Sequence, residues 1–194
     1  MSEQNLDLFI KQLEWRYATK KFDPSKKVPA KIIEKIMQAA RLSPSSFGLQ
    51  PWHFLVIENQ EIRSQLRPHA WNQPQISDAS SLVVLCTKTE MTKEYINSYA
   101  DSIVKERGIK PSDIEPYRQM MLGSFPGMTG EAGKQWMAHQ TYIALGMLMS
   151  ACAMAEVDAC PMEGFSKNDF DKILNLPEKG LNVRVLCTIG YRAS

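Results

Sequence analysis

The stretch from about Glu131 to Glu156 reads as one long helix, and it sets the terms for the rest of the chain. From Met137 onward it is apolar nearly all round, through Tyr142, Ile143, Leu145, Met147, Leu148, Met149, Ala153 and Met154. Such a helix has to be covered on every side. Its apolar run, about Ile143 to Ala155, falls short of the ~20 residues that span a bilayer. The cover therefore comes from protein. Either the remainder of this chain supplies it all, or the helix is central to the fold and also part of a subunit interface. Gly146 and the neighbouring alanines permit close helix approach.

A chain of 194 residues is most economically one domain, residues 1–194, with a core large enough to need no staples. The net charge is +2 and the basic residues are scattered, which argues against nucleic acid or anionic membrane as a main partner. The cysteines Cys86, Cys152, Cys160 and Cys187 form no C-x-x-C pair, and no His/Cys ligand spacing accompanies them, so no metal site is expected. They suit reduced core thiols. With no basic-then-apolar leader at Met1, the expectation is a soluble, cytoplasmic protein.

Leu6, Phe9, Ile10 and Leu13 predict a first amphipathic helix ending near Trp15. A second apolar stripe follows Pro29, through Ile32, Ile33, Ile36, Met37 and Ala40. His53 to Glu58, Ser81 to Thr87 and Asn182 to Tyr191 read as strands. Asn59, Thr92 and Ser166 are placed to cap short helices. Residues 108–116 read as a break before a helix from Tyr117 to Phe125, and Asp158 to Phe165 reads as a loop.

Phosphate-loop, dinucleotide, zinc-protease and hydrolase-elbow motifs are all absent, and His53, His69 and His139 are isolated. No side-chain nucleophile with a base is legible, so catalysis would depend on a cofactor. Three segments attract attention. Arg16 and Lys20 sit four apart in an irregular stretch, and these residue types suit a phosphate, although each alone reads as a solvated charge. Ser43-Pro-Ser-Ser-Phe-Gly-Leu-Gln-Pro-Trp52 joins helix to strand with small side chains, so a flat ligand can approach its backbone. Cys160-Pro-Met-Glu-Gly164 ends in a glycine that permits the same, and Glu163 is either a base or a surface carboxylate.

Taken together with Trp71-Asn72 ahead of Asp78-Ala79-Ser80, these motifs resemble the FMN-dependent nitroreductase family in order and spacing from residue 16 to 165. The resemblance implies an α+β fold, a central, mostly antiparallel sheet flanked by helices, and an intertwined homodimer with FMN at the interface. It implies that Arg16, Tyr17, Ala18 and Lys20 contact the FMN phosphate, ribityl chain and ring. Pro44, Ser45, Ser46 and Gly48 would reach the flavin from the partner subunit. Asn72 and Gln75 would lie at the ring, and Pro161, Met162, Glu163 and Gly164 would back it, with a backbone N–H towards N5. Phe47 and Phe125 are substrate-side candidates, with Tyr99 and Tyr117 beside them.

The implied activity is NAD(P)H oxidation with ping-pong hydride transfer to nitroaromatics, quinones or similar flat acceptors. Flavin or dihydropteridine reduction, or flavin binding with little turnover, are the alternatives. Ala18 stands where many members have Ser, so one hydroxyl contact to the cofactor is expected to be lost, and Gln75 stands where some have a second Lys, so a flavin harder to reduce is expected. Members continue past the strand ending near Tyr191 into a tail with basic phosphate contacts. Here the sequence stops at Ser194, either because the chain is naturally short or because the tail is not part of this sequence, and phosphate affinity and dimer strength turn on which holds.

Overall fold

A computed structural model describes residues 2–193. Four strands form one sheet in the order β1-β2-β4-β3, with β1 Trp52–Ile57, β2 Ser81–Lys88, β3 Asp158–Met162 and β4 Leu181–Gly190. Every pairing among these strands is antiparallel, with Trp52 opposite Thr87, Val84 opposite Leu186 and Cys160 opposite Thr188. The helices are α1 Ser2–Trp15, α2 Ala30–Arg41, α3 Gln60–Leu66, α4 Gln75–Asp78, α5 Lys93–Arg107, α6 Pro111–Ser124, α7 Gly130–Met154 and α8 Lys167–Ile173.

β2 is buried on both sides because its alternating side chains enter two different cores. Leu82, Val84 and Cys86 pack with Leu66, Ile76, Phe165 and Phe170, under α3, α4 and α8. Val83 and Leu85 pack with Ile33, Ile36 and Ala40 of α2 and with Leu145, Leu148 and Cys152 of α7. A third cluster joins Leu49 and Met137 to α5 and α6 through Ile96, Ala100, Ile114 and Met121. α7 thus belongs to two cores at once.

The caps are partly as anticipated. Asn59 accepts from the Ile62 N–H and Thr92 from the Tyr95 N–H, whereas Ser166 precedes α8 with no side-chain cap bond. Two segment readings also fail. The presumed loop from Asp158 is an edge strand as far as Met162, since Pro161 lacks only an N–H that an outer strand edge can spare. The presumed break at 108–116 is confined to its start. Pro111 opens α6, where its missing donor goes unneeded, and Pro116 is tolerated at the sixth helical position.

The apolar cover is incomplete. On α7, Tyr142, Ile143, Met147 and Met154 remain 38%, 43%, 41% and 44% exposed. On α1, Leu6, Leu8, Ile10 and Leu13 are exposed, and Gln12 is the buried residue. No described helix is long and apolar enough to cross a membrane.

Candidate functional site

After α1 the chain runs along the outer edge of β3. Ala18 bridges Ala159 in parallel, and the Thr19 N–H donates to the Ala159 carbonyl at 3.3 Å. This turns Thr19 inward, fully buried, and Lys20 outward. Lys20 Nζ lies 3.7 Å from the Cys160 sulfur, so the cationic segment meets the Cys160–Gly164 motif directly. Arg16 is half-buried, and its Nε is shielded from solvent with no hydrogen-bond partner. A guanidinium nitrogen left so is short of an acceptor.

The Trp71–Asn72 turn joins the same group. Both residues are left-handed, with φ of 54° and 55°, and Asn72 is exposed. The Trp71 ring lies on Gly164, where a Cβ would come within 2.4 Å of it. Gln73 Nε2 donates to the Gly164 carbonyl at 2.9 Å. Gly164 is therefore required by the indole, while Trp71 itself stays 75% exposed. Gln75 opens α4 and is buried. At the end of β3, Pro161 is half-buried, Met162 is buried, and Glu163 is exposed and accepts a hydrogen bond from the Tyr142 hydroxyl on α7. Burial, then Glu163, pushes the Tyr142 phenol up to about 12.

The loop after α2 is held elsewhere. Phe47, Gly48 and Gln50 have φ of 55°, 69° and 45°, so the backbone makes a tight left-handed reversal. Ser45 Oγ accepts from the Gln50 N–H at 2.9 Å, and the Ser46 N–H donates to Gln140 Oε1 of α7 at 2.8 Å. Three tyrosines of α5 and α6 grip the turn. Tyr95 donates to the Leu49 carbonyl and Tyr117 to the Phe47 carbonyl, each at 2.8 Å, and a Cβ on Gly48 would lie 2.3 Å from the Tyr99 hydroxyl. Pro44 is exposed. Phe47 packs at a tilt on Tyr117, and Phe125 packs on the same core with the Lys93 ammonium 5.6 Å from its ring.

The candidate residues thus divide into two constellations. One contains Arg16 to Lys20, Trp71 to Gln75 and Pro161 to Gly164. The other contains Pro44 to Gly48, with Phe125 against the same core. Among the described residues no hydrogen bond joins the first constellation to residues 44–48. Sequence reasoning passed over Trp71, Gln140 and Tyr142 as site residues. Trp71 had one usable signal, its place beside Asn72 in an irregular stretch, whereas Gln140 and Tyr142 looked like ordinary positions of an apolar helix. A cavity of about 510 Å³ opens beside β1, lined by Met37, Arg41, Gln50, Trp52, His53 and Tyr95 among others, at the exit of the second constellation. Among the described residues no cluster of His, Cys, Asp or Glu could hold a metal ion.

A profile described as "Nitroreductase family" matches residues 13–191. The chain belongs to the nitroreductase family. It is 37% identical over 193 residues to the Bacillus subtilis (strain 168) protein named "Putative NAD(P)H nitroreductase YfkO", covering 92% of this chain and 86% of the relative. It is 35% identical over 174 residues to "Putative NAD(P)H nitroreductase SH0546" of Staphylococcus haemolyticus (strain JCSC1435), covering 88% and 78%. The nitroreductase fold extends to solved structures of low identity. One is the Exiguobacterium sibiricum 255-15 protein described as a "putative nitroreductase in complex with FMN", at 22% identity and a TM-score of 0.83, covering 96% of this chain and 89% of that one. Another is a nitroreductase-like protein from Streptococcus mutans at 19% identity and a TM-score of 0.86, covering 100% and 91%.

Proposed function

We propose that this nitroreductase is an FMN-dependent NAD(P)H oxidoreductase of the cytoplasm, acting by a ping-pong cycle on nitroaromatics, quinones or similar flat acceptors. The observation that carries the reading is the half-buried Arg16, whose shielded Nε has no acceptor, in one constellation with Lys20, Asn72 and Gly164. These residues fit FMN. Arg16 offers a rigid fork to a phosphate. Asn72 offers an exposed amide to a ring edge, and Glu163 and Gly164 bring backbone N–H groups to the turn that Gln73 and the Trp71 ring hold. The relatives' names and the FMN-bound neighbour agree with this.

When bound, FMN supplies the hydride chemistry between nicotinamide and acceptor. The protein's own residues hold and tune it. Lys20 brings positive charge, which favours the more negative reduced form and raises the potential by roughly 30 mV per 1.4 kcal/mol for two electrons. Glu163, tethered by Tyr142, sets the end of β3. No essential acid or base is assigned, since solvent can deliver protons to an open face.

The reading includes a homodimer. Residues 44–48 are separate from the Lys20 constellation within one chain, and they complete a site if a second copy contributes them. The uncovered apolar faces of α1 and α7 favour the same assembly. An anaerobic titration tests the proposal. The purified protein should be yellow, NAD(P)H should bleach it, and a nitroaromatic or quinone should restore the colour. Protein that binds FMN but reduces no faster than free FMN would be a binding protein instead, and protein that takes up no flavin would end the reading.

A further inference from the structure

Arg192 closes on Asp158 three ways: Nε donates to Oδ1 at 2.6 Å, the second terminal nitrogen pairs with Oδ1 at 2.6 Å, and the backbone N–H donates to Oδ2 at 2.8 Å. Asp158 is 4% exposed, and its Oδ1 also accepts from the Thr19 hydroxyl at 3.2 Å. The guanidinium carbon lies 4.3 Å from the Trp15 ring centre and 4.6 Å from that of Tyr17. Neighbouring backbone bonds, from the Ala193 N–H to the Lys21 carbonyl and from the Asp23 N–H to the Tyr191 carbonyl, extend the attachment.

Arg192 therefore grips the two residues that flank Arg16. It also satisfies Asp158, a buried carboxylate that would otherwise attract another cation in its vicinity. Arg16 takes part in no ion pair among the described residues and keeps its fork free. A planar guanidinium suits both tasks, since it stacks on aromatic faces while it forks onto a carboxylate, and a lysine does only part of this.

We propose that Arg192 and Asp158 are positioning residues that hold Arg16 for a ligand phosphate without touching the ligand themselves. The inference rests on the FMN reading above. FMN and riboflavin differ only in the phosphate, so comparing their dissociation constants isolates this role. Arg192→Ala should weaken FMN binding about tenfold, the equivalent of one lost charge-assisted hydrogen bond, and leave riboflavin binding unchanged. Asp158→Asn should do the same, because the clasp needs both partners. Arg192→Lys should recover only part of the FMN preference.

Should Arg192→Ala fail to fold, Arg192→Lys and Asp158→Asn are read by the same FMN-to-riboflavin ratio. Parallel losses for both flavins would reduce the clasp to general support and overturn the proposal. A loss with Arg192→Ala but none with Asp158→Asn would make Arg192 a direct ligand and overturn it too. Wild-type protein that binds neither flavin would sink the FMN reading itself. A wild type that prefers FMN, with variants that prefer it equally, would sink this inference alone.

Discussion

Gln140 and Tyr142 stand two residues apart on α7 and hold different constellations. Gln140 accepts from the Ser46 N–H of the loop after α2, and Tyr142 donates to Glu163 at the end of β3. At 100° per residue they point roughly 200° apart, so the helix body lies between the two groups. Both attachments depend on one rigid rod.

The two residues should respond differently to truncation. Gln140 is buried, and Gln140→Leu leaves the Ser46 N–H without its acceptor, at a cost of about 1–3 kcal/mol. Tyr142 and Glu163 are exposed, and Tyr142→Phe should change stability by less than about 1 kcal/mol. Urea unfolding of the two variants measures the difference, and equal losses would contradict it.

Gly48 carries two demands, a φ of 69° and the Tyr99 hydroxyl in the space of a Cβ. Gly48→Ala should cost about 1–2 kcal/mol for the left-handed backbone alone, with the clash in addition. Tyr99→Phe should relieve only the clash. A double-mutant cycle separates the parts, and additivity of the two substitutions would show that the hydroxyl exerts no pressure on the loop.

Met147 lies on the uncovered face of α7. Met147→Glu should leave the chain folded and convert a dimer to a monomer, with FMN occupancy falling alongside. Sedimentation velocity and the flavin absorbance of the same sample provide the check. A dimer that persists would place the interface elsewhere.

Burial pushes the Cys86 and Cys152 thiols from 9.0 up to about 12. Because the folded values are raised, their contribution to stability is complete below the unfolded value and is lost as pH climbs towards the folded one. Each thiol should therefore remove on the order of 1 kcal/mol of stability at pH 10 relative to pH 7. Urea midpoints at the two pH values give the slope, which Cys152→Ala should make shallower.

Much of the sheet and several helices could be read because their signals are local. Thr92 and Asn59 cap where they should, and α7 matches the expected helix, about Glu131 to Glu156, to within two residues at each end. β3 was hidden because Pro161 and the small residues around it look like a turn until an edge position excuses the missing N–H. The pairing of Arg192 with Asp158 joins residues 34 apart, and the indole over Gly164 joins residues still further apart. Neither has a period or spacing that announces it. α1 was legible as amphipathic, but most of its apolar side chains find no cover within this chain.

Apolar side chains that a chain leaves in water make its stability depend on amount as well as on sequence. If a second copy covers α7, assembly and folding share one mass-action equilibrium, and the melting temperature rises with protein concentration. Dilution would then loosen the shared site of this nitroreductase first, while each separated chain keeps its sheet.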